Sequence, residues 1–427
     1  MSQKQPARGG ARSVPPRAFA TGILLFVSGA VTALALVWMF GAAITAPNSN
    51  LAKSGGTVWG SEEKLKKKTA MRKLTKTFYD DPKVRYAIGE PVAGWDEKRR
   101  EWLRVNPAFG DRGSPRPVSE RVMVVTGSQL TRCKNPIGDN LSLRSLKNKV
   151  DYCRINGYDI FYNNLLLQPK MAGCWAKLPA IKAAMIAHPE TEWVLWVDVD
   201  AFFMDMEFKF PFDRYEGYNL VVEGWNTYKM RTFTSLNAGV FLIRNCQWSM
   251  DFIEKWASMG PTSPDYAKWG VIQQALLKDK SDVESDDQSA LLYLMLEKGK
   301  IWGDKIFLEE ELNFQTHWVG SVEQLRNLTL SGVERDRLRR RRAEKATDVY
   351  DTKRRVEQRG LVGPPIMMHF AGCQPCSGKH NPAYGAESCW AGMEQALTYA
   401  DNQVLRSFGL AHMNLSDPGA VSPLKRQ

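Results

Sequence analysis

The segment WVLWVDVDAFF, residues 193–203, decides the fold expected for this chain, because an apolar run leads directly into two carboxylates. Consecutive apolar residues with aromatic neighbours are typical of a strand buried on both faces, as in parallel sheets covered by helices. Carboxylates at the end of such a strand lie where open α/β sheets bind their ligands. We therefore expect Asp198 and Asp200 at a ligand-binding edge.

These two carboxylates allow two interpretations. In the first, Asp198 and Asp200 only cap the turn that follows the strand. In the second, they bind a hard divalent cation such as Mg²⁺ or Mn²⁺, which prefers oxygen ligands and often shares them with substrate phosphates. We favour the second interpretation, so the motif predicts a metal and diphosphate site.

Strand-like and helix-like segments alternate around this stretch. The strand-like segments are RVMVVTG (121–127), YDIFYN (158–163), NLVVEGW (219–225) and LNAGVFLIRN (236–245). The helix-like segments are LSLRSLKNKVDYCRING (141–157), KMAGCWAKLPAIKAAMIAHP (170–189) and QWSMDFIEKWASMG (247–260). This alternation predicts βαβ units and an α/β fold with a mostly parallel sheet.

Further polar residues stand at the predicted ends of these elements. Segment 126–128, Thr-Gly-Ser, would let a nucleotide approach the backbone, although a glycine there usually only makes a turn. Asp286 and Asp287 either are acids favoured at a helix N-terminus or face a cleft. His369 closes the apolar segment PPIMMHF and is either structural or a third metal ligand.

The first fifty residues predict a membrane anchor. Residues 18–46 contain no charged side chain. This uncharged run is longer than the ~20 residues that cross a bilayer, and longer than the ~7 to 15 apolar residues of a cleavable signal peptide. Basic residues without acids precede this span, so the positive-inside rule leaves the N-terminus cytosolic. The expected organisation is a cytosolic tail (1–17), an anchor (18–46), a lumenal stem (47–118) and a catalytic domain (119–427) with a basic insertion at about 331–360.

The distribution of charge argues against a nucleic-acid partner. The formal net charge is +12, but residues 1–120 hold 20 Lys and Arg against 10 Asp and Glu, and residues 331–360 hold 11 against 6. The remainder of the chain is therefore mildly acidic. A basic tail, stem and insertion around an acidic catalytic body, together with a lumenal location, exclude nucleic acid as the expected partner.

Seven cysteines indicate the redox environment. Cys373, Cys376 and Cys389 with His380 match a Cys₃His zinc site, but an oxidising lumen favours disulfides, with at least one cysteine left over from an odd count. N-glycosylation motifs at Asn140, Asn327 and Asn414 agree with a secreted or lumenal chain.

Several long blocks resemble one family. These are MVVTGSQLTRCKNPIGDN, MAGCWAKLPAIKAAMIAHPETEWVLWVDVDAFFMD, SLNAGVFLIRNCQWSMDFIEKWASMGP, SDDQSALLYL, MHFAGCQPCSG and ADNQVLRSFGLAH. Together they resemble the plant xyloglucan 6-xylosyltransferases and galactomannan galactosyltransferases of glycosyltransferase family 34, from about Thr77 to Leu424. The resemblance implies a GT-A-type, Rossmann-like fold, a type II Golgi membrane protein, a Mn²⁺-dependent reaction, a UDP-sugar donor and retention of anomeric configuration.

The resemblance also implies roles for individual residues. The implied metal ligands are Asp198, Asp200 and His369. The residues implied to contact the donor nucleotide are Thr126, Gly127, Ser128, Lys177 and Gly372. The residues implied to lie near the reacting sugar are Asn237, Asp286, Asp287 and Gln288, with Gln288 beside the reacting carbon.

Two positions depart from the family pattern. Val199 stands where the family usually has serine between the two aspartates, which removes one hydroxyl contact to the donor. Gln374 stands where the family usually has lysine, so a positive charge near the diphosphate is missing or supplied elsewhere. Lys379 and Lys177 are the compensating cations that we expect, and Lys379→Ala is then expected to weaken UDP binding.

The function expected from these features is transfer of α-linked xylose or galactose onto a β-1,4-linked glucan or mannan backbone, as in the synthesis of xyloglucan and other cell-wall polysaccharides. Partners would be UDP-xylose or UDP-galactose, the glycan acceptor, the Golgi membrane, and further copies of the chain or other glycosyltransferases. The alternative is a non-catalytic Golgi scaffold for other glycosyltransferases. Trp225 and Trp318 are the aromatic side chains expected in the acceptor cleft.

Overall fold

The computed structural model describes residues 78, 81, 83–109, 121–330 and 364–424. The predicted cytosolic tail, the anchor (18–46), most of the stem and the basic insertion lie outside these residues. Within the described ranges, no helix is both long enough and apolar enough to cross a membrane.

A six-stranded sheet forms the centre of the fold, with the strand order β2-β1-β3-β6-β5-β7. Its strands are β1 (Val122–Gly127), β2 (Asp159–Asn163), β3 (Trp193–Val197), β5 (Leu220–Gly224), β6 (Leu236–Arg244) and β7 (Ile306–Glu309). The β1–β2, β1–β3 and β5–β7 pairings are parallel. Only β6 runs the other way, antiparallel to β3 and β5, so the predicted mostly parallel α/β sheet is confirmed.

Strand β3 is buried on both faces, as its sequence predicts. Val194 and Trp196 belong to one hydrophobic cluster, whereas Trp193, Leu195 and Val197 belong to another. Because successive side chains of a strand point to opposite faces, both faces of the sheet carry a core. Each fully buried aliphatic side chain contributes roughly 1.5–3 kcal/mol to such a core. The apolar run thus fixes β3 in the middle of the sheet.

Helices cover the sheet, and the three helices predicted from the sequence are present, one of them with a later start. The helices are α1 (Trp95–Val105), α2 (Pro136–Asn156), α3 (Lys177–Ala187), α4 (Gln247–Ala257), α5 (Tyr266–Leu276), α6 (Asp287–Glu297), α7 (Gly299–Trp302), α8 (Ser321–Leu330) and α9 (Ala386–Leu405). Helix α2 ends before Gly157, whose φ of 64° suits glycine at a helix end. The helix predicted from Lys170 begins only at Lys177, because a 3₁₀ turn occupies Gly173–Ala176.

A second, three-stranded sheet connects the end of β3 to the C-terminal part of the chain. Its strands are β4 (Ala201–Phe203), β8 (Thr316–His317) and β9 (Met367–His369), in the order β4-β9-β8. In the antiparallel β4–β9 pair, Ala201 lies opposite His369. This register brings the histidine next to the residue that precedes β4, which is Asp200.

One disulfide ties the C-terminal segment to the rest of the fold, and a second lies within that segment. Two short hairpins occupy this segment: β10 (Cys373–Gln374) with β11 (Lys379–His380), and β12 (Leu410–Ala411) with β13 (Ser422–Pro423). The disulfides are Cys133–Cys376 and Cys373–Cys389. The preference for disulfides over zinc is confirmed, because three cysteines of the zinc alternative are paired. Cys153, Cys174 and Cys246 remain as thiols.

Candidate metal centre and adjoining cavity

Asp198, Asp200 and His369 converge at the end of β3. One potential ligand atom from each lies within 4.8 Å of the others, and His369 Nε2 is 3.3 Å from Asp200 Oδ1. Two carboxylate oxygens and one imidazole nitrogen suit a divalent ion such as Mn²⁺ or Mg²⁺. Three protein ligands also leave coordination positions for substrate oxygens. The residues predicted from the sequence therefore fit a divalent metal.

The orientation of the His369 ring is set by Gln315. The amide nitrogen of Gln315 donates to the carbonyl oxygens of Asn237 (2.9 Å) and Val240 (3.2 Å), so its amide oxygen faces His369 Nδ1 at 3.1 Å. Nδ1 is then the donor, and Nε2 faces the two aspartates. Burial alone would lower the pKa of His369, but Asp200 and Asp198 outweigh it and raise the pKa. The same attraction would act on a metal cation.

Helix α2 supports the loop that carries the two aspartates. The Ser145 hydroxyl donates to the carbonyl oxygen of Val199, and the buried Lys149 ammonium donates to Ser145 Oγ (2.7 Å) and to the carbonyl of Ala201 (2.9 Å). Burial lowers the pKa of Lys149 to about 7. The backbone on both sides of Asp200 is thus fixed by hydrogen bonds that do not involve the Val199 side chain.

Gly239, in the LNAG segment of β6, leaves the space that the metal ligands occupy. A Cβ at this position would lie 2.3 Å from His369 Cε1 and 2.9 Å from Asp198 Oδ2. The Gly239 carbonyl also accepts a hydrogen bond from the Asp198 amide at 2.8 Å. His369 and Asp198 therefore pack directly against the backbone of Gly239.

We expect Gly239→Ala to displace the His369 ring or the Asp198 carboxylate, because neither can remain where a Cβ would stand. Metal affinity, measured by titrating Mn²⁺ into the purified protein, should fall about 10- to 100-fold, the range seen when ligand support is lost. Gly299→Ala is the control, because nothing lies within 4 Å of a Cβ there. Equal Mn²⁺ affinity in Gly239→Ala and the parent would show that the ligands do not need this space.

Lys177 connects Asp198 to Asp287. Its ammonium, on a side chain only 4% exposed, lies 2.7 Å from Asp287 Oδ2, 3.3 Å from Asp198 Oδ1 and 2.8 Å from the carbonyl of Ala238. Trp196 Nε1 donates to the same Asp198 oxygen at 2.6 Å. Burial alone would lower the pKa of Lys177, but the two carboxylates raise it, so this side chain is a permanent cation. Its charge is already shared by two aspartates.

Asp286, Gln288 and Asn237 make local hydrogen bonds beside this network. Asp286 caps helix α6 by accepting from the Ser289 amide at 2.7 Å and also pairs with Lys280 at 2.5 Å. Gln288 Oε1 accepts from the Ala238 amide at 3.2 Å, and Asn237 Oδ1 accepts from the Gly239 amide at 2.7 Å. Of Asp286 and Asp287, only Asp287 is connected to a metal ligand, because Lys177 pairs with both Asp287 and Asp198. The sugar-binding roles of these residues stay predictions.

A cavity of about 680 Å³ opens beside Asp198 and Asp200. Gly127 and Ser128 line it at the end of β1, whereas Thr126 is 1% exposed and does not line it. A Cβ at Gly127 would lie 2.3 Å from the carbonyl oxygen of Asn163 in β2, so the strand pairing itself already requires this glycine. The cavity extends from the ends of the first strands to the β10–β11 hairpin.

The hairpin contributes Gln374 to the cavity wall, whereas two predicted contacts lie elsewhere. Gly372 is exposed with a φ of 84°, the left-handed region that favours glycine, and does not line the cavity. Lys379 lies opposite Gln374 in the β10–β11 pair, is exposed and also does not line the cavity. Their roles in donor binding stay predictions.

The two tryptophans predicted for an acceptor cleft differ in exposure. Trp225 is 48% exposed and follows β5, at the same edge of the sheet as Asp198. Trp318 is 6% exposed and stacks on Phe370, with 5.4 Å between ring centroids. The prediction for Trp318 is therefore wrong, because its ring fills the core between β8 and α9.

The chain is similar to known glycosyltransferases. A family model described as the galactosyl transferase GMA12/MNN10 family matches residues 118–380. "Glycosyltransferase 6" of Arabidopsis thaliana is 47% identical, over 97% of both chains. "Galactomannan galactosyltransferase 1" of Cyamopsis tetragonoloba is 48% identical, over 98% of both chains. The solved structure of a glycosyltransferase involved in glycosylation of the major capsid of PBCV-1 is similar over 64% of this chain and 99% of that one, with 12% identity and a TM-score of 0.36.

Proposed function

The chain belongs to the galactosyl transferase GMA12/MNN10 family, glycosyltransferase family 34, and on that premise we propose that it transfers α-linked xylose or galactose from a UDP-sugar to a β-1,4-linked glycan backbone. The proposal rests on the convergence of Asp198, Asp200 and His369, together with the cavity that the two aspartates line. A nucleotide diphosphate seated there reaches the metal ligands with its phosphates and leaves its sugar beside β6. We assign the domain to the GT-A type on this arrangement.

The three ligands would hold Mn²⁺, which neutralises the charge that grows on the departing diphosphate. The protein's own part is to hold Asp198 and Asp200 in position. Trp196 and Lys177 hydrogen bond or pair with Asp198, and the α2 contacts fix the loop around Asp200. These contacts are built into the fold before substrate arrives, which is the condition for effective electrostatic catalysis.

Retention of configuration needs either a carboxylate nucleophile or attack from the face that the diphosphate leaves. Asp286 is occupied as the cap of α6, and Asp287 is 5% exposed and paired with Lys177. Neither offers a carboxylate free to bond the sugar. This supports front-face attack, with the diphosphate accepting the proton of the acceptor hydroxyl and Gln288 near the reacting carbon.

The acceptor glycan binds on the β5 and β6 side of the metal centre, opposite the nucleotide. Trp225 lies at that edge and offers an exposed ring for stacking on a sugar face. The proposed location is the Golgi membrane, with residues 18–46 as a type II anchor and the catalytic domain in the lumen. Exposed Asn140, Asn327 and Asn414 agree with glycosylation there.

The test is a donor and acceptor screen with the full-length chain in detergent. UDP-xylose, UDP-galactose and UDP-glucose are each offered with cello-oligosaccharides and manno-oligosaccharides, with and without Mn²⁺. We expect Mn²⁺-stimulated transfer from xylose or galactose donors and an α linkage in the product by NMR. Absence of turnover with every donor, together with absence of UDP binding, would favour a non-catalytic scaffold.

A further inference from the structure

The charge balance of the metal centre leaves a donor diphosphate without compensation. Two aspartates match the charge of one divalent ion, and Lys177 is paired with Asp287 as well as with Asp198. A bound diphosphate would thus add about two uncompensated negative charges, and its phosphates need cations or donors from the cavity wall. Gln374, at the family's lysine position, supplies no charge.

The cavity wall carries two further cations that sequence reasoning did not identify. Of the residues that line the cavity, three are basic: Arg132, Lys134 and Lys177. Arg132 and Lys134 are exposed, and neither has an ion pair with any residue that the structure describes. Their charges are therefore available to a ligand, unlike that of Lys177.

These two cations are fixed against the hairpin that carries Gln374. Cys133, between them, forms the disulfide with Cys376. The Lys134 amide donates to the carbonyl of Cys376 at 2.9 Å, and Asn135 Nδ2 donates to the carbonyl of Pro375 at 2.8 Å. The backbone of residues 132–135 is thus held beside residues 374–376. Arg132 and Lys134 therefore lie on the same cavity wall as Gln374.

Helix α2 begins at the same place and adds to this field. Asn135 is its N-cap, and the helix runs for 21 residues from Pro136. The positive end of its dipole therefore points toward residues 132–134, where it favours an anion. On this geometry we infer that Arg132 and Lys134 bind the diphosphate of the donor and replace the charge that Gln374 lacks. The inference rests on the proposed function, because it assumes a nucleotide-sugar donor.

Calorimetric binding of UDP and of uridine, in the presence of Mn²⁺, tests this inference on the full-length chain. Arg132→Gln and Lys134→Gln should each weaken UDP binding about three- to tenfold, and the double variant more, because each removes one charge-assisted contact. Uridine, which has no phosphate, should bind all variants equally. The UDP affinity of the double variant should also fall less steeply with salt. Adding Gln374→Lys to the double variant should recover part of the loss.

Lys209→Gln is the matched control, because Lys209 is an exposed lysine that does not line the cavity. Lys379→Gln tests the alternative that Lys379, on the β11 strand of the hairpin, binds the diphosphate instead. Loss of UDP affinity in Lys379→Gln but not in the double variant would overturn the inference in favour of the hairpin lysine. Equal UDP affinity in the parent and the double variant would also overturn it, while leaving the proposed function intact. A parent that binds no UDP would overturn both.

Discussion

Asp198→Ala, Asp200→Ala and His369→Ala should each abolish metal-stimulated sugar transfer. A metal supplies several kcal/mol of stabilisation to a departing diphosphate, so its loss corresponds to roughly a 10³-fold fall in turnover. We expect similar losses of turnover from the three substitutions, because the three ligand atoms lie within 4.8 Å of one another and would bind the same ion. Initial rates with the preferred UDP-sugar at rising Mn²⁺ measure the effect.

The fold should survive these substitutions, because the two aspartates lie beyond the end of β3 and are not part of its core. Their side chains are 28% and 18% exposed, whereas that of His369 is 6% exposed and supports Gln315. His369→Ala should therefore cost an additional ~1–3 kcal/mol of stability from the unpaired amide. Asp213→Ala, an exposed aspartate that does not line the cavity, is the control. Near-normal turnover of any one ligand variant at saturating Mn²⁺ would contradict its role as a ligand.

Lys177→Met should destabilise the protein and disrupt its metal centre together. Removing the ammonium leaves Asp287 buried without its partner and Asp198 without a neighbouring cation. Breaking a buried pair by removing one partner costs about 3–5 kcal/mol. We therefore expect a clear fall in the denaturant midpoint and weaker Mn²⁺ binding. Adding Asp287→Asn should recover part of the stability, because it removes the uncompensated buried charge.

Lys182 separates the two effects. Lys182 lies on the same helix, α3, and its buried ammonium pairs with Glu254 at 2.5 Å. Neither Lys182 nor Glu254 lines the cavity. Lys182→Met should destabilise the fold by a similar mechanism while leaving Mn²⁺ affinity in the folded protein unchanged. If Lys177→Met binds Mn²⁺ as tightly as Lys182→Met does, then Lys177 stabilises the fold without shaping the metal centre.

Local sequence patterns predicted much of the sheet, because burial on two faces leaves a direct record in the chain. The apolar run before Asp198 and the glycine at 157 gave the positions of β3 and of the end of α2. The 3₁₀ turn before Lys177 was missed because a single glycine inside a helical pattern is often tolerated, whereas Gly173 has a φ of 60° and keeps the helix from starting at Lys170. The exposed ring of Trp225 and the buried ring of Trp318 were not separable, since both follow strand-like segments.

The three metal ligands were named from the sequence, but the contacts that support them were not, because those contacts join segments distant along the chain. The β4–β9 register that brings His369 to Asp200 joins segments more than 160 residues apart, and no local pattern encodes it. Gln315 carries no motif and acts only through its position beneath the imidazole. Arg132 and Lys134 were missed for the same reason, since a disulfide spanning 243 residues brings them to the hairpin.

The most direct test of the proposed metal centre is UDP binding by the full-length chain with Mn²⁺ and after chelation with EDTA. If the aspartates and the histidine hold a metal that contacts the diphosphate, UDP affinity should fall at least about tenfold on chelation, and Asp198→Ala should bind UDP equally weakly under both conditions. The contrary result is UDP affinity in the parent that is the same with and without the metal. That result would place the nucleotide away from the Asp198, Asp200 and His369 group.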